Sequence, residues 1–279
     1  MKKSATETAR VQPIAAFPLY DFPQLRLETN AFWRAIAKRL RDAGVTAVPG
    51  RLSRSQDYTA AWRNPGLIMG QACGYPLMQQ LRNRARIVAT PFYTSRGCES
   101  FQHSSIFIVN ANAEFGTLSD LRGGVCAVNG FDSNTGTNLL RAAIAPLAES
   151  KPFFHSVVVT GSHLASIETI ANGGADVAAI DCVSLAHLRR FESTLTACVR
   201  QIGQSMLVPA PPFITGWKTD DGTLAVLRRA LDDVAADPKL ASVRAALSIG
   251  GFKYVAEANY EITLRIEQEA AAVGYPKLR

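Results

Sequence analysis

The chain of 279 residues predicts an α/β fold in which parallel sheets are covered by helices. Three observations carry that expectation. Short apolar runs of strand length alternate with amphipathic stretches of helical spacing, the pattern of consecutive β-α-β units. Hydrophobic residues make up 47% and charged residues 19%, which excludes a disordered or coiled-coil chain and leaves apolar side chains for a large core. No internal repeat or low-complexity tract interrupts the alternation, and no flexible linker marks a domain boundary.

Residues 11–16, from Val11 to Ala16, read as a first strand. A helix follows over 28–43 because Phe32, Trp33, Ile36 and Leu40 share one face, and Gly44 stands where a left-handed stop is needed. Strands are expected at 45–48, 66–69 and 87–89, the second running into Gln71-Ala72-Cys73-Gly74-Tyr75-Pro76. The run Ser105-Ile106-Phe107-Ile108-Val109 predicts a longer strand over 104–110. Next come a strand at 125–128, a helix reaching Leu147, a strand at 157–159, a helix over 163–172 and a strand at 177–180. A strand near 206–208 leads into the turn Pro209-Ala210-Pro211-Pro212. Helices are then expected in 224–234 and 240–247, and a last amphipathic helix carries Tyr260, Leu264 and Ile266.

The formal net charge of +7 suits attraction of a small anion better than a nucleic acid. The densest basic cluster, Arg82-Asn83-Arg84-Ala85-Arg86, lacks interleaved aromatics and reads as a solvated helix end, so no nucleic-acid partner is expected. No run approaches the ~18 apolar residues of a membrane span, so no direct membrane insertion is expected. Met1-Lys2-Lys3 opens like an export signal, but no apolar run follows, and 11–17 is broken by Pro13. The expected compartment is the cytoplasm, with the periplasm as the alternative if the start is trimmed or export is non-standard. Five cysteines form no regular framework. Cys126 and Cys182 read as small core residues; Cys73 and Cys98 lie in loop-like contexts, and whether they pair stays open.

Two strand-to-helix junctions carry the chemistry. One runs from Val125-Cys126-Ala127-Val128 through Asp132-Ser133-Asn134-Thr135-Gly136, the other from Val157-Val158-Val159 through Thr160-Gly161-Ser162-His163. A helix start presents unpaired N–H groups and a positive dipole end, so two of them facing one cleft form a site for an oxyanion. Such loops sit at the carboxyl ends of strands and should converge.

In sequence order, Gln71 to Pro76, Asp120-Leu121-Arg122-Gly123-Gly124, Asp132 to Gly136, Gly161-Ser162-His163 and Gly174-Ala175-Asp176-Val177-Ala178-Ala179-Ile180-Asp181 resemble the phosphate, phosphite and phosphonate substrate-binding proteins of ABC importers. The resemblance extends over about 11–212. It implies a type II periplasmic-binding-protein fold: two lobes, each a mostly parallel sheet covered by helices, with a ligand cleft between them. One lobe would take 1–101 and 207–279, the other 102–206. The implied function is a solute-binding protein that closes on a small phosphorus oxyanion, for an ABC transporter's membrane permease or as a sensor, with no cofactor, metal or reaction of its own. By the same resemblance Ser133, Asn134, Thr135 and Gly136 form the oxyanion loop, and Ser162, His163 and Asp181 add contacts from the same lobe. Tyr20, Tyr75 and Tyr93 would reach in from the other lobe, and Ser104 stands in Gln102-His103-Ser104, where the family often has a tyrosine. Asn134 departs from the pattern too, occupying a position usually held by a hydroxyl.

Each candidate also has a plainer role. Ser133 and Thr135 serve equally as an N-cap and a first-turn residue. His163 reads as a ligand residue or a polar loop histidine, and Asp181 as a ligand residue or the cap of a following helix. Tyr75 and Tyr93 stay open between rim packing and cleft contact. Among enzymes, Ser133 lacks a nucleophile-elbow frame, no phosphate-cradling glycine motif is present, and His103, His155, His163 and His187 have no metal-ligand spacing. The remaining rival is a cytosolic enzyme of the same fold acting on an organic acid, as in menaquinone biosynthesis, with His163 and Asp181 as an acid–base pair.

Overall fold

A computed structural model describes residues 12–55 and 57–279. From the start of the chain, β1 (Ile14–Ala16) leads to α1 (Arg26–Asp42), α2 (Tyr58–Arg63), β2 (Leu67–Gln71), α3 (Gly74–Gln80) and β3 (Ala85–Tyr93). The chain then crosses through β4 (Gln102–His103) into β5 (Ser105–Asn110), β6 (Val125–Val128), α4 (Leu139–Ala148), β7 (Ser156–Val159), α5 (His163–Ala171) and β8 (Val177–Asp181). It continues through α6 (Cys182–Phe191), α7 (Ser193–Ala197) and β9 (Val199–Gln204), and returns by β10 (Val208–Pro209). The last part holds β11 (Phe213–Gly216), α8 (Asp221–Ala236), α9 (Ala241–Ala246), β12 (Ile249–Lys253) and α10 (Ile262–Ala272).

Two five-stranded sheets result, ordered β1-β2-β11-β3-β12 and β7-β6-β8-β5-β9. The strands that enter straight from a crossover run against their neighbours: β11 is antiparallel to β2 and β3, and β5 to β8 and β9. The second sheet is otherwise parallel, with β6 paired to both β7 and β8. In the first, β1 and β2 pair in parallel while β12 lies antiparallel on β3. The crossover strands β4 and β10 pair with each other, and Ala210 N–H donates to the Phe101 carbonyl at 2.8 Å. The fold is the type II arrangement that the family resemblance implies.

Helix α1 buries the predicted face of Phe32, Trp33, Ile36 and Leu40 and stops at Gly44, whose φ of 87° only glycine adopts freely. With α8 and α9 it covers one side of the first sheet. The expected strand at 45–48 does not form: Val45 and Val48 pack partly buried on that core, but among the described residues no neighbouring strand offers them a ladder. Residue 11 of the predicted first strand lies outside the described residues, and 14–16 do form it. Strands β9, β11 and β12 carry no strong alternation and were not predicted.

The C-terminal segment crosses back. Ala270, Tyr275 and Leu278 join the buried cluster of Phe107, Leu140 and Phe153 under the second sheet. Phe153 and Phe154 donate their N–H groups to the Arg279 carbonyl at 2.6 and 3.0 Å.

Candidate functional site

A cavity of about 210 Å³ opens between the two sheets, below the ~300–1,000 Å³ of sites that take drug-sized ligands. Its walls differ in kind. From the first-sheet side come Pro18, Leu19, Tyr20, Tyr58, Trp62 and Pro76. The crossover and the second sheet supply His103, Asn129, Asp132, Ser133, Thr135, Ser162, His163, Asp181 and Ser184.

The polar wall is built at three strand ends. After β6, Ser133 caps a π-helical turn over 134–138 that runs straight into α4; its Oγ accepts the Gly136 N–H at 3.0 Å, and its carbonyl accepts the Asn138 N–H at 3.1 Å. Glycine is required at 136 because a Cβ there would lie 1.7 Å from Asn129 Oδ1. The turn is braced from outside: Asn138 Nδ2 donates to Asn134 Oδ1 at 3.0 Å and to the Thr263 carbonyl at 2.9 Å, and Arg141 bonds Asn138 and the Pro276 carbonyl. After β7, Ser162 caps α5 by accepting the Ala165 N–H at 3.0 Å, and His163 Nε2 lies 3.3 Å from Thr135 Oγ1. The two predicted helix starts therefore meet at one cavity. Asn129 Oδ1 and His163 Nδ1 are buried there without a partner.

After β8, Asp181 caps α6 by accepting the Ser184 N–H at 2.8 Å, and its other oxygen lies 2.8 Å from His103 Nδ1 and accepts from Tyr20 Oη at 3.2 Å. Burial works against both charges of the His103–Asp181 pair. Burial is the largest single influence on each, but their mutual hydrogen bond and charge attraction together outweigh it, raising His103 above its ordinary range and, with His163 and the Ser184 N–H, lowering the Asp181 carboxyl below its own. His163 shifts the other way, because burial outweighs the pull of Asp181 and disfavours its cation. Burial pushes the Cys73 thiol at the cavity edge up to about 11, so it stays protonated near neutral pH.

Of the expected contacts, Tyr20, Ser133, Thr135, Ser162, His163 and Asp181 line this cavity. The other five do not. Ser104 Oγ is committed to the Gly97 carbonyl at 2.8 Å and accepts from Gln204 at 2.9 Å. Asn134 turns its amide into the Asn138 brace, so the departure from the family's hydroxyl falls outside the cavity wall. Gly136 contributes backbone only. Tyr75 is buried near Glu267 and Arg141, where burial, then Glu267, raises its hydroxyl to about 12. Tyr93 accepts from Gln71 Nε2 at 2.7 Å and packs edge-on to Tyr20 beside a smaller cavity. Asp181 has three donors already, so its carboxylate anchors protein groups first.

Sequence reasoning missed His103, Tyr58, Trp62, Asn129 and Asp132. For His103 the placement comes only from the fold: in the β5–β8 pairing Ser105 sits opposite Asp181, which brings the residue two positions earlier to the same strand end. Tyr58 and Trp62 lie on a six-residue helix in a stretch where no element was predicted. Among the described residues no cluster of three or more His, Cys, Asp or Glu is placed to hold a metal ion.

The model of a protein family described as "ABC transporter, phosphonate, periplasmic substrate-binding protein" matches residues 23–260. The chain belongs to that family. Similar solved structures include a binding-protein component of an ABC phosphonate transporter from Pseudomonas aeruginosa, 16% identical over 94% of this chain and 88% of that one, with a TM-score of 0.76. PhnD1 from Prochlorococcus marinus in complex with methylphosphonate is 14% identical over 93% and 98%, also at 0.76. A Xanthomonas citri protein bound to ATP is 15% identical over 94% and 98%, at 0.70. At such identities these likenesses establish the fold. Among curated proteins none matches the sequence significantly. Family membership corrects the cytoplasmic placement read from residues 1–17: the family consists of periplasmic substrate-binding components, and a match across 23–260 outweighs one short terminal stretch. The rival of a cytosolic organic-acid enzyme gains no support from any of these matches.

Proposed function

We propose that this substrate-binding protein captures a small phosphonate between its sheets and hands it to an ABC-transporter permease, with no chemistry of its own. The observation that carries the reading is the split cavity, with hydroxyls and two helix starts on one wall and proline and aromatic side chains on the other. A phosphonate has the same division, an oxyanion head and a carbon substituent, whereas inorganic phosphate has no apolar end. Among the described residues no Lys or Arg lines the cavity. The anion would be held by dipoles: Ser133 and Thr135 hydroxyls, the first N–H groups of the 134–138 turn, and Ser162 with His163 at α5. The unpartnered Asn129 Oδ1 and the nearby Asp132 favour a head that keeps one proton to donate.

The mobile units in this reading are a lobe of 1–101 with 207–279 and a lobe of 102–206, hinged at the paired β4 and β10. The segment from Ile262, although counted with the first lobe in sequence, packs on the second and braces the 134–138 turn, so it would move with the second lobe.

Calorimetric titration with methylphosphonate, phosphite and phosphate tests it. Methylphosphonate is expected to bind about fourfold more tightly than phosphate, since one buried CH₂-sized group adds ~0.8 kcal/mol. Silence with all three anions, or preference for phosphate, would overturn the reading.

A further inference from the structure

We propose that Cys98 and Cys182 form a disulfide that ties the first crossover to the strand end carrying Asp181. The bond would be independent of what the cavity holds. The two sulfurs lie 3.4 Å apart although 84 positions separate them in sequence. Sequence context left Cys98 open to pairing with Cys73, but the fold turns its thiol toward Cys182.

The frame around the pair is already rigid. Ser104 holds both cysteine segments: its carbonyl accepts the Cys182 N–H at 3.1 Å, and its Oγ donates to the carbonyl of Gly97, next to Cys98, at 2.8 Å. The Cys98 N–H closes a turn onto the Ser95 carbonyl at 3.1 Å. Gly97 has φ of 96°, and a Cβ there would lie 2.8 Å from the Cys182 Cβ, so only glycine lets the crossover approach Cys182 this closely. The sulfurs are thus held together by backbone contacts that persist in the dithiol.

Access and reactivity are divided between the two sulfurs. Cys98 is half-buried and open to a reagent, whereas Cys182 is 2% exposed. Cys182 is the first residue of α6, and Cys98 directs its S–H toward it; together these favour the Cys182 thiolate. The oxidant is a disulfide, either glutathione disulfide or that of a thiol–disulfide oxidoreductase. Cys98, the accessible sulfur, gives up its proton to solvent and attacks one oxidant sulfur as the thiolate, forming a mixed disulfide and releasing one thiolate that takes up a proton. Cys182 thiolate then attacks Cys98 sulfur and releases the second. Two protein thiols lose two protons and two electrons, and the oxidant becomes two thiols. The periplasmic compartment of this family is where such a bond persists.

The test uses the purified full-length chain equilibrated with glutathione disulfide, then denatured and alkylated. Before alkylation the mass should lie about 2 Da below that of the reduced chain, two of the five thiols should then escape alkylation, and proteolysis without reductant should yield one linked peptide pair containing Cys98 and Cys182. Oxidised protein should melt on the order of 5 °C above reduced protein, a gap absent from Cys98→Ser and retained by Cys73→Ser. Five alkylated thiols after oxidation, or a linked pair involving any other cysteine, would overturn the proposal. If Cys98→Ser fails to fold, the thiol count and peptide map of the unaltered chain decide alone.

Discussion

The two walls of the cavity are made by different means. The first-sheet wall is a packed surface: Tyr58 and Trp62 lie 4.9 Å apart on α2, and Trp62 fixes its ring by donating Nε1–H to the Gln71 carbonyl at 2.8 Å. The second-sheet wall is a set of strand ends whose side chains are held by caps and hydrogen bonds, with Ser133, Ser162 and Asp181 each accepting a helix N–H. A cap fixes a side chain by local geometry, so its position follows from the residues beside it. A packed wall depends on elements far apart in sequence. The polar wall should therefore govern whether an anion binds, and the apolar wall which substituent it carries.

The largest expected effect comes from removing the anchor of the polar wall. Asp181→Ala leaves His103 buried without its carboxylate and removes the α6 cap, a loss of roughly 3–5 kcal/mol in folding stability, read as a shift in urea midpoint. The pH dependence follows from the two shifts. His103 is raised, so its contribution is full below the ordinary histidine value and fades as pH climbs through its folded value. Asp181 is lowered, so its contribution is full above the ordinary carboxylate value and fades as pH falls through its folded value. The gap between wild type and variant should be widest between about pH 4 and 6.5 and should narrow on either side. A pH-independent gap would mean that the pair is not ionised in the folded protein.

Next in size is Thr135→Val, which keeps the volume and removes one hydroxyl from the polar wall. Loss of a hydrogen bond to a charged group costs ~1.5–3 kcal/mol, so methylphosphonate affinity should fall roughly tenfold to a hundredfold in calorimetry. The melting temperature without ligand should barely move. Unchanged affinity would reduce Thr135 to a first-turn residue.

The smallest effect is expected on the other wall. Tyr58→Ala removes a ring that is 40% exposed, and the lost aromatic contact of about 0.5–1.5 kcal/mol should appear only for ligands with a carbon substituent. Competition binding with phosphite as the reference separates the walls: equal losses for both ligands would erase the distinction between them.

Much of the polar wall was legible in the residues themselves. Ser133, Ser162 and Asp181 are N-caps placed between an apolar run and a helical stripe, and each lies where that local grammar puts it. Tyr75 and Tyr93 were not legible in this way. A tyrosine near a strand end has no local rule for which cavity its ring faces, and both are held by distant partners in α10, α4 and β2. The strand expected at 45–48 failed for a related reason, since a strand exists only where a neighbour completes its ladder.

The sequence by itself determined the α/β alternation, the helix starts at 133 and 162, and the family resemblance over about 11–212, because periodicity, capping and short motifs act within a few residues. Only the tertiary structure decided the rest. It reversed β5 and β11, paired His103 with Asp181, and set Cys98 against Cys182. It also carried the C-terminal segment back across the second sheet to brace the 134–138 turn. These are contacts between residues some 80 to 140 positions apart, and their free energy comes from burial and pairing that no local segment contains.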